Sequence, residues 1–208
     1  MKRFTVHVSC FFALMLAATF AFAQAEFSAD VVDLLKPGSP TTAKIYYGKD
    51  KLRMESKNSG ARAGGAFIMN LATQTSTVLM PQQHMYMDMP IHSPSQRQAN
   101  NFFRTGDVEN ACGDWEKIDY NKGASCRKVG DESVNGRSAV KYESTNSSGE
   151  VSNFWLDSKL RFPVKWQGKN SSDELRNIQE GSQPASLFEV PAGFTKMEMP
   201  GGMMQQPH

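Results

Sequence analysis

Along most of the chain, apolar and polar residues alternate with a period of two between short groups of turn-forming residues. This pattern is typical of antiparallel strands that bury one face. The segments that show it lie at 43–47, 51–55, 66–69, 75–80, 84–89, 126–133, 138–143, 151–156 and 162–166. A further candidate lies at 174–179. We therefore predict about nine strands, nearly all antiparallel, which is more strand than an average domain contains.

The turns between these segments favour hairpins. Gly48-Lys49-Asp50 separates the first two segments, and Asn135-Gly136 separates the sixth from the seventh. Asn-Gly between two alternating runs is the strongest short hairpin signal. Pro163 lies inside the run 162–166. It predicts an edge strand or a strand with a bulge, because proline has no N–H to donate to a sheet ladder.

One stretch, 94–104, has the periodicity of a helix. Ser93 is a good N-cap, and Pro94 suits the first helical position. The apolar residues at i, i+3 and i+4 are Ala99, Phe102 and Phe103. A short helical turn is also predicted at 184–188. The expected fold is mainly β: a single highly curved antiparallel sheet, or unclosed β-barrel, whose concave face is covered by one or two lid helices.

The N-terminus has the order of a cleavable signal peptide, with Lys2 and Arg3, an apolar run at 6–22, and small residues up to Ala25. We predict cleavage near Ala25, and a cut after Ala23 fits the same rule. A membrane anchor is the alternative. It is disfavoured because the apolar run of ~17 residues is near the lower limit for a span and no basic stop signal follows it.

We predict that the chain has three parts. They are the signal peptide at 1–25, a β domain at 26–199 and a disordered tail at 200–208. The whole chain has 23 basic and 21 acidic residues. Removing Lys2 and Arg3 leaves 21 of each sign. A neutral domain is poorly suited to a nucleic-acid partner, whose binding depends largely on basic charge, so we predict no nucleic-acid binding.

The sequence lacks catalytic motifs, and we predict neither an enzyme nor a cofactor. After the signal peptide it contains three histidines, His84, His92 and His208. It has no nucleophile elbow, no zinc-binding helix motif and no phosphate-binding glycine loop. The adjacent carboxylates Asp131-Glu132 and Asp173-Glu174 would point to opposite faces of a strand. A solvated surface is the better interpretation of these pairs.

Two cysteines remain after removal of the signal peptide, Cys112 and Cys126. In an oxidising compartment, an even pair predicts a disulfide. Closing a loop of this length stabilises a fold by about 3 kcal/mol in the chain-entropy description. A redox-active pair is the alternative, but active dithiols usually occur as Cys-x-x-Cys beside a βαβ unit, and the sequence has neither feature.

Four blocks of sequence, in order along the chain, resemble a known family. They lie at 44–55, 79–87, 155–166 and 187–194. Through these blocks the chain resembles uncharacterised bacterial periplasmic proteins of the LolA-like superfamily, whose best-known member carries the acyl chains of lipoproteins across the periplasm. The resemblance implies a periplasmic location and an unclosed antiparallel barrel with a hydrophobic concave face under lid helices. It also implies a place for an apolar ligand, without naming that ligand.

Methionine is concentrated around the fifth predicted strand. The chain has twelve methionines, and Met85, Met87 and Met89 share one face of that strand by alternation. Three interpretations remain open: core packing, an adaptable ligand-lining face, and a Cu(I) site that adds His84 and His92. The metal site is the weakest of the three, because strand residues two apart are about 7 Å from one another and three in-line sulfurs cannot all meet one ion.

The concave face is the predicted ligand site. We expect it to be lined by Ile45, Tyr47, Leu52, Met54, Met85, Met87, Met89, Phe102, Phe103, Trp155, Phe162 and Trp166. The first functional hypothesis is a periplasmic, non-enzymatic binding or carrier protein for a lipid, an acyl chain or another apolar small molecule. The alternatives are a periplasmic copper-binding protein and an envelope structural or interaction protein with a filled core. We expect a monomer with, at most, a transient envelope protein as partner.

Overall fold

The computed structural model describes residues 25–57, 65–90, 107–116 and 123–198. Three predictions therefore lie outside the described residues: the signal peptide apart from Ala25, the helix at 94–104, and the tail at 200–208. Within the described ranges, no helix is both long enough and apolar enough to cross a membrane.

The described residues form twelve strands and one short α-helix. The strands are β1 (Phe27–Asp33), β2 (Thr41–Gly48), β3 (Lys51–Ser56), β4 (Ala66–Asn70), β5 (Thr75–Met80), β6 (Met85–Pro90), β7 (Ser125–Val134), β8 (Arg137–Thr145), β9 (Val151–Asp157), β10 (Pro163–Gln167), β11 (Ser172–Glu180) and β12 (Thr195–Lys196). The helix is α1 (Ala111–Trp115). Turns of 3-10 helix lie at Pro81–Gln83, Val108–Asn110 and Ala185–Phe188, and the last confirms the helical turn predicted at 184–188.

All twelve strands belong to one sheet, in the order β12-β6-β5-β4-β3-β2-β1-β11-β10-β9-β8-β7. Neighbours run antiparallel except β12, which lies parallel to β6. The sheet does not close, because β12 and β7 stand at its two opposite ends. The prediction of a mainly β fold with a single unclosed sheet is confirmed. The further candidate at 174–179 is β11, and alternation predicts neither β1 nor β12, so twelve described strands stand against the expected nine.

β1 lies near the middle of the sheet, between β2 and β11. Phe27 and Ala29 are buried on one side, and Ser28 and Val32 are buried on the other. A strand covered on both faces does not need to alternate apolar with polar residues. This burial explains why the period-two pattern does not reveal β1.

Left-handed backbone conformations close both predicted hairpins. The turn between β2 and β3 has Lys49 at φ 44° and Asp50 at φ 64°. The turn between β7 and β8 has Asn135 at φ 51° and Gly136 at φ 79°. Two successive positive φ values match the right-handed twist of the flanking strands, and Asn-Gly adopts them at low cost. Both predicted hairpins are confirmed by the pairing of their strands.

Pro163 is the first residue of β10, which is an internal strand between β9 and β11. The prediction of an edge strand is therefore wrong. The alternative prediction of a bulge is confirmed, because the register with β9 shifts between Pro163 and Lys165. At the start of a strand, a missing N–H is tolerated, which reconciles proline with an internal position.

The sheet is strongly curved. Leu52 of β3 and Phe154 of β9 line the same pocket, although five strand spacings separate these strands in the sheet order. In a flat sheet the two strands would be about 24 Å apart. The face that carries these residues is therefore concave, and we call the other face the outer face. The segment after β11 covers part of the outer face, where Phe188 packs against Ala66, Ile68 and Leu79.

Candidate apolar binding site

The pairing register places a row of apolar side chains across four neighbouring strands on the concave face. Met54 of β3 lies opposite Phe67 of β4. Phe67 lies opposite Val78 of β5, which in turn lies opposite Met87 of β6. Directly paired residues project to the same side of a sheet. These four side chains therefore form one continuous apolar strip.

A pocket of about 570 Å³ lies at this strip, and we call it the methionine pocket. Its lining includes Met54, Phe67, Val78, Met80, Met87 and Met89. Met54 is 41% exposed and Met89 is 40% exposed, so the pocket opens to solvent at these two side chains. Unbranched thioether side chains can adopt many shapes and therefore suit a surface that adapts to its ligand.

A second pocket of about 550 Å³ lies over the middle of the sheet, and we call it the central pocket. Its lining includes Val31, Ile45, Leu52, Phe162, Trp166 and Asp173. Met54 and Ser56 line both pockets, so the two adjoin. Each falls within the range of ~300–1,000 Å³ that is usual for small-molecule sites. Together they form one apolar groove along the concave face.

Three aromatic rings fill the concave face beside the central pocket. The ring centroid of Phe162 lies 5.1 Å from that of Phe27 and 5.5 Å from that of Tyr47. None of the three residues is more than 2% exposed. The concave face is thus packed solid at this position and open at the adjoining central pocket.

A short segment around α1 covers another part of the concave face, over β8 and β9. The hydroxyl of Tyr142 donates a hydrogen bond to the carbonyl of Val108 at 2.6 Å and accepts one from the N–H of Ala111 at 3.2 Å. The disulfide between Cys112 and Cys126, with Cα atoms 5.5 Å apart, ties α1 to β7 and confirms the predicted pairing. The sequence pattern did not indicate α1, because five residues are too few to show a helical period.

Eleven of the twelve predicted lining residues separate into four groups. Seven of them line one of the two pockets: Ile45, Leu52, Met54, Met87, Met89, Phe162 and Trp166. Tyr47 belongs to the packed aromatic core. Met85 shares the concave face with them through its pairing with Met80. Phe102 and Phe103 lie outside the described residues. Contact of any of these side chains with a ligand stays a prediction.

Trp155 belongs to the outer face instead. Trp166 pairs with Phe154, whereas Trp155 pairs with Lys165, so the two tryptophans project to opposite sides of the sheet. The ring of Trp155 lies between two amines, with Lys141 Nζ at 5.0 Å and Lys165 Nζ at 4.8 Å from its centroid. Its Nε1 also donates a hydrogen bond to Glu132 Oε2 at 2.7 Å, so the hydrogen bond and the cation–π contacts together hold the ring on this face. We therefore leave Trp155 out of the candidate site.

The residues proposed as copper ligands are not brought together. The ring of His84 packs against Phe194, with centroids 5.8 Å apart. Phe194 packs against the outer-face cluster, whereas Met87 and Met89 line the methionine pocket on the concave face. His92 lies outside the described residues. Among the residues that are described, no group of three His, Cys, Asp or Glu side chains could hold a metal ion.

One carboxylate, that of Asp173, lies among the described residues of the site. Asp173 of β11 lines the central pocket, and among the described residues that line either pocket it is the only ionisable one. Its Oδ2 accepts a hydrogen bond from the indole Nε1 of Trp166 at 3.0 Å. Burial raises the pKa of Asp173 above its usual range, and the negative charge of Asp33 adds to the rise, while the bond from Trp166 opposes it.

The sequence did not identify Asp173 as part of the site. Alternation correctly places Asp173 and Glu174 on opposite faces, but the interpretation as a solvated surface is wrong for this pair. Glu174 is only 6% exposed, and Asp173 faces the central pocket. The curvature that encloses Asp173 has no local signal in the sequence, because it arises from strands far apart along the chain.

Comparison with known proteins supports the fold. No protein family model matches the sequence, and no curated protein matches it. Solved structures do match. An uncharacterised conserved protein from Thermus thermophilus superposes with a TM-score of 0.53 at 9% sequence identity, over 85% of this chain and 91% of that chain.

Two further structures extend this similarity. The MucA/MucB complex of Pseudomonas aeruginosa matches with a TM-score of 0.51 at 14% identity, over 86% of this chain and 60% of that chain. The chain thus spans less than two thirds of that relative. A LolA superfamily protein from Nitrosomonas europaea matches with a TM-score of 0.33 at 12% identity, over 80% and 90%. At these identities, the likeness to the first two structures concerns the fold alone.

Proposed function

We propose that this chain is a periplasmic, non-enzymatic binding or carrier protein that holds a lipid or another apolar molecule on the concave face of its sheet. The observation that carries the proposal is the meeting of the methionine pocket and the central pocket at Met54. Both linings consist mainly of apolar side chains, which is typical of small-molecule sites.

The physical basis of binding is the removal of apolar surface from water, which contributes about 25 cal/mol for each Å² buried. Such burial is non-directional, so it favours a class of apolar molecules rather than one shape. The two adjoining pockets support this function over an envelope protein with a filled core. The copper hypothesis is not carried forward, because His84 lies on the outer face while the methionines face the groove.

A periplasmic location is supported by two features of the chain. The first 25 residues have the charge, apolar core and small residues of a signal peptide. The disulfide between Cys112 and Cys126 fits an oxidising compartment. We also propose a transient envelope protein as partner, since the similar structure from Pseudomonas aeruginosa is a complex of two proteins, MucA and MucB.

The direct test is to identify what the protein holds when it is purified from the compartment to which it is exported. Native mass spectrometry, followed by organic extraction of the same sample, should reveal a lipid or another apolar molecule that co-purifies with the folded chain. A protein that is reproducibly empty, and that fails to take up a fluorescent apolar probe added afterwards, would contradict the proposal.

A pair of variants ties such binding to the groove. Met54→Gln combined with Met89→Gln should weaken binding of the apolar probe by about tenfold or more, because each methionine would lose part of the favourable transfer of its side chain from water. Both side chains are about 40% exposed, so the fold should tolerate the change. The matched control is Val151→Gln, which alters an apolar side chain that is 49% exposed on β9 and lines neither pocket. Equal loss in both proteins would argue against the groove.

A further inference from the structure

We propose that the groove takes an amphiphile whose polar end is an amine that is protonated at neutral pH, with its ammonium group paired to the Asp173 carboxylate and its apolar body in the central pocket. This inference rests on the proposed function and names the ligand class for the same site. It follows from the charge of the pocket lining, its hydrogen bonding and its surroundings.

The described residues that line the groove carry charge of one sign only. Asp173 is the only ionisable residue among the described residues that line the methionine pocket or the central pocket. No lysine, arginine or histidine of the described chain lines either pocket. An apolar ligand with a positive end therefore complements this lining, whereas a ligand with a negative end would bring like charges together.

The Asp173 carboxylate has acceptor capacity to spare. Its hydrogen bond from Trp166 comes from a neutral donor, which leaves the negative charge of the carboxylate in place. An ionised carboxylate offers about four lone-pair sites. An ammonium group can occupy the remaining sites, and a hydrogen bond between two charged groups is stronger than one between neutral groups. The indole ring of Trp166 beside it is a surface on which a cation is also favoured.

The nearest charged groups are already matched with each other. Asp33 of β1 lies directly opposite Asp173 of β11 in the sheet. Asp33 is ion-paired with Lys36, with Nζ and Oδ2 3.0 Å apart, and it accepts a hydrogen bond from the N–H of Leu35 at 2.9 Å. Among the described residues, the two carboxylates Asp33 and Asp173 thus share one lysine, which leaves a net negative charge that a cation can balance.

The test compares three ligands that share one apolar chain and differ only at the head: dodecylamine, dodecanol and dodecanoate, each below its aggregation concentration. Isothermal titration calorimetry at neutral pH should show dodecylamine binding about tenfold or more tightly than dodecanol, which is the expected effect of one hydrogen bond to a charged group. Dodecanoate should bind more weakly than dodecanol, because its carboxylate would face that of Asp173.

The variant Asp173→Asn isolates the charge. Its side-chain oxygen can still accept from Trp166, so the pocket should keep its shape. We expect the preference for dodecylamine over dodecanol to disappear while the affinity for dodecanol is unchanged. The matched control is Asp88→Asn, which neutralises an aspartate that pairs with Lys196 at 3.2 Å and lines neither pocket. This control should keep the preference.

The preference should also depend on pH in a defined direction. Burial raises the pKa of Asp173 and the charge of Asp33 adds to the rise, while the hydrogen bond from Trp166 and the charge of Lys36 oppose it. Lowering the pH through this raised pKa protonates Asp173 and removes the negative charge, while dodecylamine stays protonated. The preference for the amine should therefore fade as the pH falls in the wild-type protein and stay absent at every pH in Asp173→Asn.

The outcomes separate this inference from the proposed function. Equal binding of dodecylamine and dodecanol, unchanged by Asp173→Asn, would overturn the amine preference and leave an apolar carrier standing. If none of the three chains binds, the proposed function itself fails, and the inference fails with it. Loss of the preference in both Asp173→Asn and Asp88→Asn would show a general effect of charge rather than a contact with Asp173.

Discussion

Asp157 is a single buried side chain on which one wall of the site depends. It is 1% exposed, and its Oδ1 accepts hydrogen bonds from the N–H groups of Lys159 at 2.9 Å and Leu160 at 2.7 Å. Its carboxylate also accepts from the guanidinium of Arg137. These bonds close the turn between β9 and β10. This turn leads directly into Phe162 and so sets the position of that side chain, which lines the central pocket.

Replacing this side chain should destabilise the fold. We expect Asp157→Ala to lower the free energy of unfolding by about 3 kcal/mol, because it leaves two backbone N–H groups and a partly buried guanidinium without their acceptor. Urea unfolding followed by tryptophan fluorescence measures this change. The control is Glu143→Ala, which removes a more exposed ion pair with Arg127 and should cost less than about 1 kcal/mol. Similar losses in the two variants would contradict the role given to Asp157.

At this same scale, the sequence predicted the methionines of the site and missed its carboxylate. Period-two alternation places Met87 and Met89 on one face, and the register of β5 with β6 agrees. Alternation assigns a residue to one of two faces, but it cannot say what covers that face. Asp173 belongs to a pocket only because the strands on either side of it curve toward one another. The polarity of Asp173 therefore predicted a solvent-exposed side chain, whereas the curvature of the sheet places it at the central pocket.

At the scale of elements, α1 shows how a covalent bond fixes a helix that is too short to persist alone. The helix has five residues, and isolated helices of that length are unstable in water. Cys112 lies within it, and the disulfide to Cys126 holds it against β7. Ala111, the first residue of α1, is 0% exposed, so packing also holds the helix against the sheet.

Removing the disulfide should loosen α1 more than it loosens the strands of the sheet. We expect Cys112→Ala with Cys126→Ala to lower the free energy of unfolding by about 3 kcal/mol. Amide hydrogen exchange should show faster exchange at Ala111, while strands in the middle of the sheet keep their protection. Adding a reducing agent to this double variant provides the control and should change nothing further. Unchanged exchange at Ala111 would mean that packing alone holds α1.

The strands themselves were largely predictable, and the exceptions have physical causes. Hairpins with one buried face repeat a local pattern, which is why β2 with β3 and β7 with β8 were found. β1 has residues buried on both faces and therefore lacks the pattern. β12 has only two residues and pairs with a strand far away in sequence. Pro163 indicated an irregularity correctly, but only the structure shows that the irregularity lies inside the sheet.

At the scale of the whole molecule, β7 is a long strand at one end of the unclosed sheet that the described residues form. Exposed edges favour association between chains unless charge or irregularity disrupts them. On β7, the register shifts between Lys128 and Gly130, and Arg127 and Lys128 place charge along the strand. These features protect the edge, and they support the expectation that the protein is a monomer.

The protection can be removed by substitution. We expect the wild-type chain to sediment as a monomer, and Arg127→Thr with Lys128→Thr to form dimers or larger species at the same concentration, because pairing of this edge with another chain would no longer bury two charged side chains. Sedimentation velocity distinguishes these states. Arg176→Thr, which changes a charge on the internal strand β11, is the control and should stay monomeric. A variant of β7 that remains monomeric would mean that the bulge alone suffices.

The place of β1 in the sheet also affects the timing of folding. The strand is synthesised among the first, yet Val31 must wait for Leu175 before its second edge is paired. Until then, the strands from β1 to β6 can form only a ribbon with an open side, which is the kind of intermediate that aggregates. Hairpins within each half can form within microseconds, whereas joining the halves requires closure of a loop that contains most of the chain. Pairing of β1 with β11 thus joins segments far apart in the sequence, and a chain halted before β11 would lack the side of the central pocket that carries Asp173.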